Sequence, residues 1–361
     1  SSDLVLFAKV SKRSNQCTST YSGDEIEIRS RSLLGPTDQE TCTKGTIIAT
    51  TITSDSPASG VNQAIKLGTG TNVLQATTIT IGGAANRGNG SLDFLSAAGS
   101  VTIRDLAGTG RAAMNVQNGN TATGASPDAV VNFNGHNADL LLGTVTVGGR
   151  SAAGAGNGTG AFSFDTGTLD ATTFSLGSRT GTVGTSGNVT GTLNIGGGTS
   201  LITTLTMSTN SVALASGNST GDAISTANFS GGTNAIGTVT MGVNTVGAGF
   251  ATGSDSIATI NITGGSTTVN TAFTMGAQNS ALNAATTVNT ATSTLNVSAG
   301  SLTLAGATNL RMGQATLDAE NAATSTINIT GTAVGTVAAP EIDVCVSHVP
   351  RTMRWNVIGA N

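Results

Sequence analysis

Short apolar–polar–apolar triplets recur along the chain. They are LDF at 92–94, VNF at 131–133, FSF at 162–164, LNI at 193–195, ANF at 227–229, INI at 260–262, LNV at 295–297 and INI at 327–329. Their last residues are Phe94, Phe133, Phe164, Ile195, Phe229, Ile262, Val297 and Ile329, at steps of 39, 31, 31, 34, 33, 35 and 32 residues. A second alternating run follows at a nearly fixed offset: TVTVG at 144–148, TFSLG at 173–177, TLTMS at 204–208, TVTMG at 238–242, AFTMG at 272–276 and NLRMG at 309–313. TITIG at 78–82 belongs to the same series. A Gly-rich turn such as GGGTS or GGS separates the two runs, and a variable stretch of Gly, Ala, Ser, Asn and Thr follows the second. Residues 101–130 fit worst and read as a repeat carrying an insertion.

Alternation with period two places successive side chains on opposite faces of a strand. In TVTMG, Val239 and Met241 face one way and Thr238 and Thr240 the other. One repeat cannot bury its apolar face alone, whereas stacked repeats can. The expected fold is all-β, a right-handed parallel β-solenoid (β-helix) of about 8–9 rungs, forming a rod roughly 40 Å long. An antiparallel sandwich is the alternative, disfavoured because sandwiches lack such a steady repeat. The predicted core ladder is Phe133, Phe164, Ile195, Phe229, Ile262, Val297 and Ile329. The predicted outer Thr ladder is Thr144, Thr146, Thr204, Thr206, Thr238 and Thr240. Gly pairs at the corners supply positive φ at low cost.

Composition supports this picture. The chain has 361 residues, with 50 Gly, nine Phe, one Trp and one Tyr, so its core is not aromatic-rich. Lys and Glu number only four and five, which leaves few helix formers. Charged residues are 9% and the net charge is −4, too apolar a balance for a disordered chain. No basic arm stands out, so nucleic acid is not an expected partner. No apolar run is long enough for a membrane-spanning helix. No charged start followed by an apolar stretch marks a signal peptide, and an opening at Ser1 fits a processed product.

Composition also divides the chain into three parts. Residues 1–45 hold 12 of the 34 charged residues together with Cys17 and Cys42, and read as a cap or assembly segment. Within it, SSDLVLFAKV and DEIEIRSRS read as strands. Residues 46–337 carry the repeats, and 338–361 form a second cap or tail. Cys17 and Cys42 are the disulfide candidates for an exported protein, and Cys345 is left over.

Repeats such as TVTMG and TLNVSAGSLTLAG resemble the Gly/Thr/Asn-rich passenger repeats of bacterial autotransporters and related secreted β-helix surface proteins. The resemblance is one of repeat style, over residues 46–337. It implies an exported, extracellular protein used in adhesion or surface structure. The chain departs from that pattern in showing no membrane barrel after residue 337.

Candidate chemistry is sparse. The middle region holds 7 Lys or Arg and 11 Asp or Glu. Asp139 and Asp170, and Arg150 and Arg179, each lie one repeat apart and are expected to stack on adjacent rungs. Such ladders could hold a sugar or an ion; the blander expectation is a solvated ladder that balances its own charge. His136 and His348 sit in no metal-ligand spacing, and neither a GGxGxD calcium repeat nor a nucleotide-binding context is present. Eight N-x-S/T sites include Asn228, Asn261, Asn296 and Asn328 at one repeat position, where outward Asn is the simpler reading than a glycan site. The Thr-x-Thr series is similar to the ice-binding face of some solenoids but is interrupted at Ser175, Ala272, Asn309 and Arg311.

The leading expectation is a non-enzymatic extracellular structural protein, a solenoid subunit that assembles into fibres or a cell-surface layer. Its expected partner is itself, head to tail, with surface glycan as a further possibility. Cofactor and metal sites are not expected. The alternatives are a monomeric adhesin or passenger that binds glycan or a host surface, and an ice-binding protein.

Overall fold

The computed structural model describes residues 18–27, 44–54, 62–82, 89–119, 128–150, 156–182, 187–213, 221–245, 254–278, 289–305, 309–315, 322–331, 336–338, 341–344 and 351–359. Strand follows strand, and there is no helix among these residues. The chain alternates between a 14-stranded and a 10-stranded sheet. Every neighbouring pair in both sheets is parallel. The protein is a β-solenoid.

One circuit shows how the sequence does this. Val189–Ile195 lies in the smaller sheet with its apolar residues buried and its polar ones half-buried, in strict alternation. The Gly-rich turn at 196–198 then reverses the chain, with φ of 70° at Gly198. Thr199–Ala213 follows in the larger sheet. The chain returns at Ala223–Phe229, beside the strand from which it started, with Asn194 opposite Asn228 and Ile195 opposite Phe229. The 34-residue step between triplets is therefore one circuit of the coil. All eight triplets map onto the smaller sheet. IKL at 65–67 and WNV at 355–357, at the two ends of that sheet, have the same form and extend it in register.

The long strands of the larger sheet round two corners. Along Thr199–Ala213 the buried positions run Ser200 and Ile202, then Leu205 and Met207, then Ser208 and Asn210. The phase of burial shifts at each corner, so three successive segments all face inward. The second corner carries a left-handed residue in circuit after circuit: Gly82, Gln117, Gly148, Gly177, Ser208, Gly242, Gly276 and Gly313. This corner presses against the smaller sheet. A Cβ at Gly177 would stand 2.2 Å from the Ile224 carbonyl oxygen. Where the facing strand has Ser instead of Gly, the hydroxyl accepts the corner N–H: Gly276 donates to Ser293 Oγ at 3.0 Å and Gly313 to Ser325 Oγ at 3.2 Å.

The interior is a set of in-register columns. Met207, Met241, Met275 and Met312 form one of these, all buried. Each fully buried aliphatic or aromatic side chain contributes about 1.5–3 kcal/mol of apolar transfer. Each Met directly precedes the left-handed corner residue, a place where a flexible thioether can adapt its packing.

The poor fit at 101–130 has a structural cause. Two strands, Ser100–Arg104 and Ala112–Gly119, replace one long strand. Ile103 lies opposite Leu140, yet Ala112 already lies opposite Leu142, so the extra residues form a closed loop between them. Asp105 fastens that loop, its Oδ1 accepting Thr109 N at 3.1 Å and Gly110 N at 2.8 Å. The segments set apart by composition also contribute strands. Thr18–Glu27 pairs with Lys44–Ser54, and Arg351–Gly359 pairs with Ala322–Gly331.

Candidate functional site

Phe164, Ile195, Phe229, Ile262, Val297 and Ile329 stand in one register column of the smaller sheet. Phe133 directly follows the neighbouring strand, Asp128–Asn132, and its N–H donates to Ser163 O at 2.9 Å. All are buried except Ile329, which is half-buried and packs on the same core. Phe133 meets Phe162 edge-on at 5.9 Å between centroids, and Phe162 meets Phe174 at 5.3 Å, joining the two sheets. His136 stacks on Phe94 at 3.7 Å, and its Nδ1 lies 3.3 Å from the Gly99 carbonyl oxygen, a packing role. Cys17, Cys42, Cys345 and His348 lie outside the described residues.

The outer Thr series falls on the larger sheet in two columns. Thr144, Thr173, Thr204 and Thr238 are in register, as are Thr146, Ser175, Thr206, Thr240 and Thr274. Thr144 is exposed and the other predicted members are half-buried. Ala272 and the exposed Arg311 interrupt the columns.

The expected charge ladder needs correction. Asp139 and Asp170 do not stack: Asp139 lies opposite Thr168, and Asp170 opposite Leu141. Each pairs instead with an arginine beside the inserted loop. Arg104 reaches Asp139, and Arg111 Nη2 binds both carboxylate oxygens of Asp170 at 2.9 Å. These pairs are open to solvent and worth about 0–1 kcal/mol each. Arg150 and Arg179 are in register, but they face inward, with exposures of 6% and 0%. The corner phase shift turns them inward, which alternation within TVTVG or TFSLG cannot reveal.

These arginines head a buried polar column that continues as Asn210 and Asn244. It fastens the end of each long strand to the chain re-entering the smaller sheet. Arg150 donates to the carbonyl oxygens of Gly156 and, at 3.5 Å, Gly187. Arg179 donates to Gly221 O, and to Asn210 Oδ1 at 3.3 Å. Asn244 Nδ2 donates to Ser254 O at 2.7 Å and Thr290 O at 3.2 Å. Burial lowers the Arg150 pKa. Arg179 is drawn down to about 10, first by desolvation and then by the Arg150 charge, with Asp222 opposing.

A second file of side chains stands at the entrance to the smaller sheet. Asn188 N donates to Asn157 Oδ1 at 3.0 Å, Asp222 N to Asn188 Oδ1 at 2.9 Å, Asp255 N to Asp222 Oδ1 at 3.0 Å, and Thr290 N to Asp255 Oδ1 at 2.8 Å. Desolvation pushes the Asp222 carboxyl up; the Asp255 charge adds to this, while the Asp255 N–H and Arg179 oppose it.

The outer face of the smaller sheet carries the most regular array. Asn194, Asn228, Asn261, Asn296 and Asn328 occupy one column. Each Nδ2 donates to Oδ1 of the preceding Asn at 2.7–2.8 Å, and Asn194 ends the run on Ser163 Oγ at 3.1 Å. Beside it runs a Thr column of Thr192, Thr226, Thr259, Thr294 and Thr326. All ten side chains are half-buried. Sequence reasoning placed these Asn outward but overlooked the joint array. Its signal was the Thr two residues before each Asn. Four of the N-x-S/T sites thus sit within a hydrogen-bonded amide ladder.

Among the described residues no group of three His, Cys, Asp or Glu could hold a metal ion. Among the same residues no helix is long and apolar enough to cross a membrane. What the outer surface offers is repetition: hydroxyls and amides at fixed intervals on a rigid frame. No family model, curated protein or solved structure matches the chain.

Proposed function

We propose that the protein is an extracellular structural protein, a β-solenoid subunit that assembles with copies of itself into fibres or a cell-surface layer. The observation that carries this reading is the parallel stacking itself. Both sheets are built by adding one in-register strand per circuit, so their terminal strands offer the geometry on which another copy can continue the stack. The larger sheet runs from Thr18–Glu27 to Thr336–Ala338, and the smaller from Asn62–Leu67 to Arg351–Gly359. Sheet edges invite pairing, and a head-to-tail contact that does not close makes a filament. Export in the manner of autotransporter passengers belongs to the same proposal. A non-catalytic role is supported by how the charged side chains are used: Asp139 and Asp170 are held in ion pairs, and Arg150 and Arg179 are buried.

Electron microscopy of the native material, with its mass in solution, tests the reading. Filaments whose axial repeat equals one rod length support it, and loss of filaments on deleting residues 1–45 locates the contact. Isolated rods at every concentration overturn it and favour a monomeric adhesin.

A further inference from the structure

The outer face of the smaller sheet is organised beyond what a solvated wall needs. Between Thr190 and Asn328 its outward positions carry no charged residue, whereas ordinary surfaces are about a quarter to a third charged. Charge returns only towards the ends of this sheet. Lys66 and Asp93 form an ion pair near one end, and in the last strand at the other Arg354 takes the register position of the Thr column, opposite Thr326. The Asn ladder fixes its own side chains, so little rotamer freedom is left to lose on contact. Asn228, Asn261 and Asn296 each donate one N–H and accept at Oδ1 along the ladder, out of two donors and two lone pairs per amide.

We propose that this face is a self-association surface, on which a second copy of the chain docks laterally, sheet against sheet. The inference deepens the assembly reading, adding side-by-side contact to end-to-end contact. Commensurability selects the occupant. The array repeats at the strand spacing of about 4.8 Å, and over five rungs only a surface with that repeat stays in step. A second copy has it by construction, and stacked sheets with Asn ladders are a known stable pairing. The area is adequate: five rungs by seven residues of strand cover about 500 Å² per copy, or roughly 1,000 Å² in total, at the threshold for a specific contact. No charge need be desolvated across it.

The test uses the full chain carrying Thr192→Lys, Thr259→Lys and Thr326→Lys together. The control carries Thr144→Lys, Thr204→Lys and Thr238→Lys on the larger sheet. Circular dichroism checks that both fold. Wild-type and control filaments are expected to pair or bundle, while the first variant gives single filaments of unchanged axial repeat. Bundling of that variant as in wild type overturns the inference, as do wild-type filaments that stay single; both leave end-to-end assembly standing. Laterally paired rods without filaments sustain this inference and overturn the end-to-end reading. Monomeric rods overturn both. Retention on a neutral polysaccharide, lost in the variant and without self-association, reassigns the face to glycan.

Discussion

Gly177→Ala tests the corner on which the inter-sheet packing rests. The residue has φ of 60°, and the added Cβ would lie 2.2 Å from Ile224 O and 2.8 Å from Ile224 C. A left-handed backbone costs an L-residue about 1–2 kcal/mol. The clash adds to this, because backbone stands on both sides and no side chain can swing away. Ordinary contact requires the two sheets to separate by about 1 Å, and overpacking of this kind costs about 1–3 kcal/mol. The expected total is about 2–5 kcal/mol. The comparison is Ser208→Gly at the same corner of the next circuit. There the strain is relieved, but the hydroxyl bonds to Ser225 Oγ and Ile257 O are lost. The two effects nearly cancel, leaving a net change within about 1 kcal/mol. Urea unfolding followed by circular dichroism measures both. Gly177→Ala with a midpoint equal to wild type, or no lower than that of Ser208→Gly, would refute this account of the corner.

Further expectations concern the core, the amide ladder and an acidic group. Ile262→Ala empties a site with 1% exposure and should destabilise by about 2–5 kcal/mol in the same assay; a cost below about 1 kcal/mol would deny the column its core role. Asn261→Ala breaks two ladder bonds, to Asn228 and from Asn296. Its expected cost is about 1–2 kcal/mol, low because water reaches the orphaned partners, and protection lost in hydrogen exchange should centre on those rungs. The raised folded-state pKa of Asp222 gives a stabilising contribution that is full below the unfolded pKa and lost as pH rises through the folded one. Asp222→Asn keeps the acceptor for Asp255 N, as Asn188 does for Asp222 N. The variant should be more stable than wild type at neutral pH and flatter across that window, and thermal melts from pH 3 to 7 that superimpose would contradict this.

Much of the fold was legible because burial repeats with period two within a strand and with the triplet step between strands. Ile195, Phe229 and Ile262 could be aligned by eye, and their register in the sheet follows that alignment. IKL and WNV have the same form, but IKL carries a charged Lys66 at the polar position and WNV stands beyond the Gly/Thr/Asn-rich region. Arg150 and Arg179 misled because a corner inverts the phase of alternation, and the residue that inverts it is an ordinary-looking Gly. The aspartates misled differently. Their spacing of 31 equals a common step, but Asp139 precedes Gly143 and Asp170 precedes Thr172 at unequal distances from the corner, so the two stand out of register. The Asn–Thr array needed cross-rung geometry, since one Thr-x-Asn in one strand means nothing until neighbours repeat it in register.

The buried arginines have a consequence for how such a chain finds its own order. Columns of identical Asn, Thr and Met make the molecule nearly periodic along its axis. A circuit shifted by one whole level would satisfy almost the same contacts, so the stack has few features with which to reject a misthreaded version of itself. Arg150 and Arg179 end that degeneracy. Arg150 reaches the carbonyls of Gly156 and Gly187 and Arg179 that of Gly221, whereas Asn210 and Asn244, one and two levels beyond Arg179 in the same column, carry side chains too short to fill a guanidinium's space. The pair acts as a fiducial mark in a ruled scale, stating which line is which.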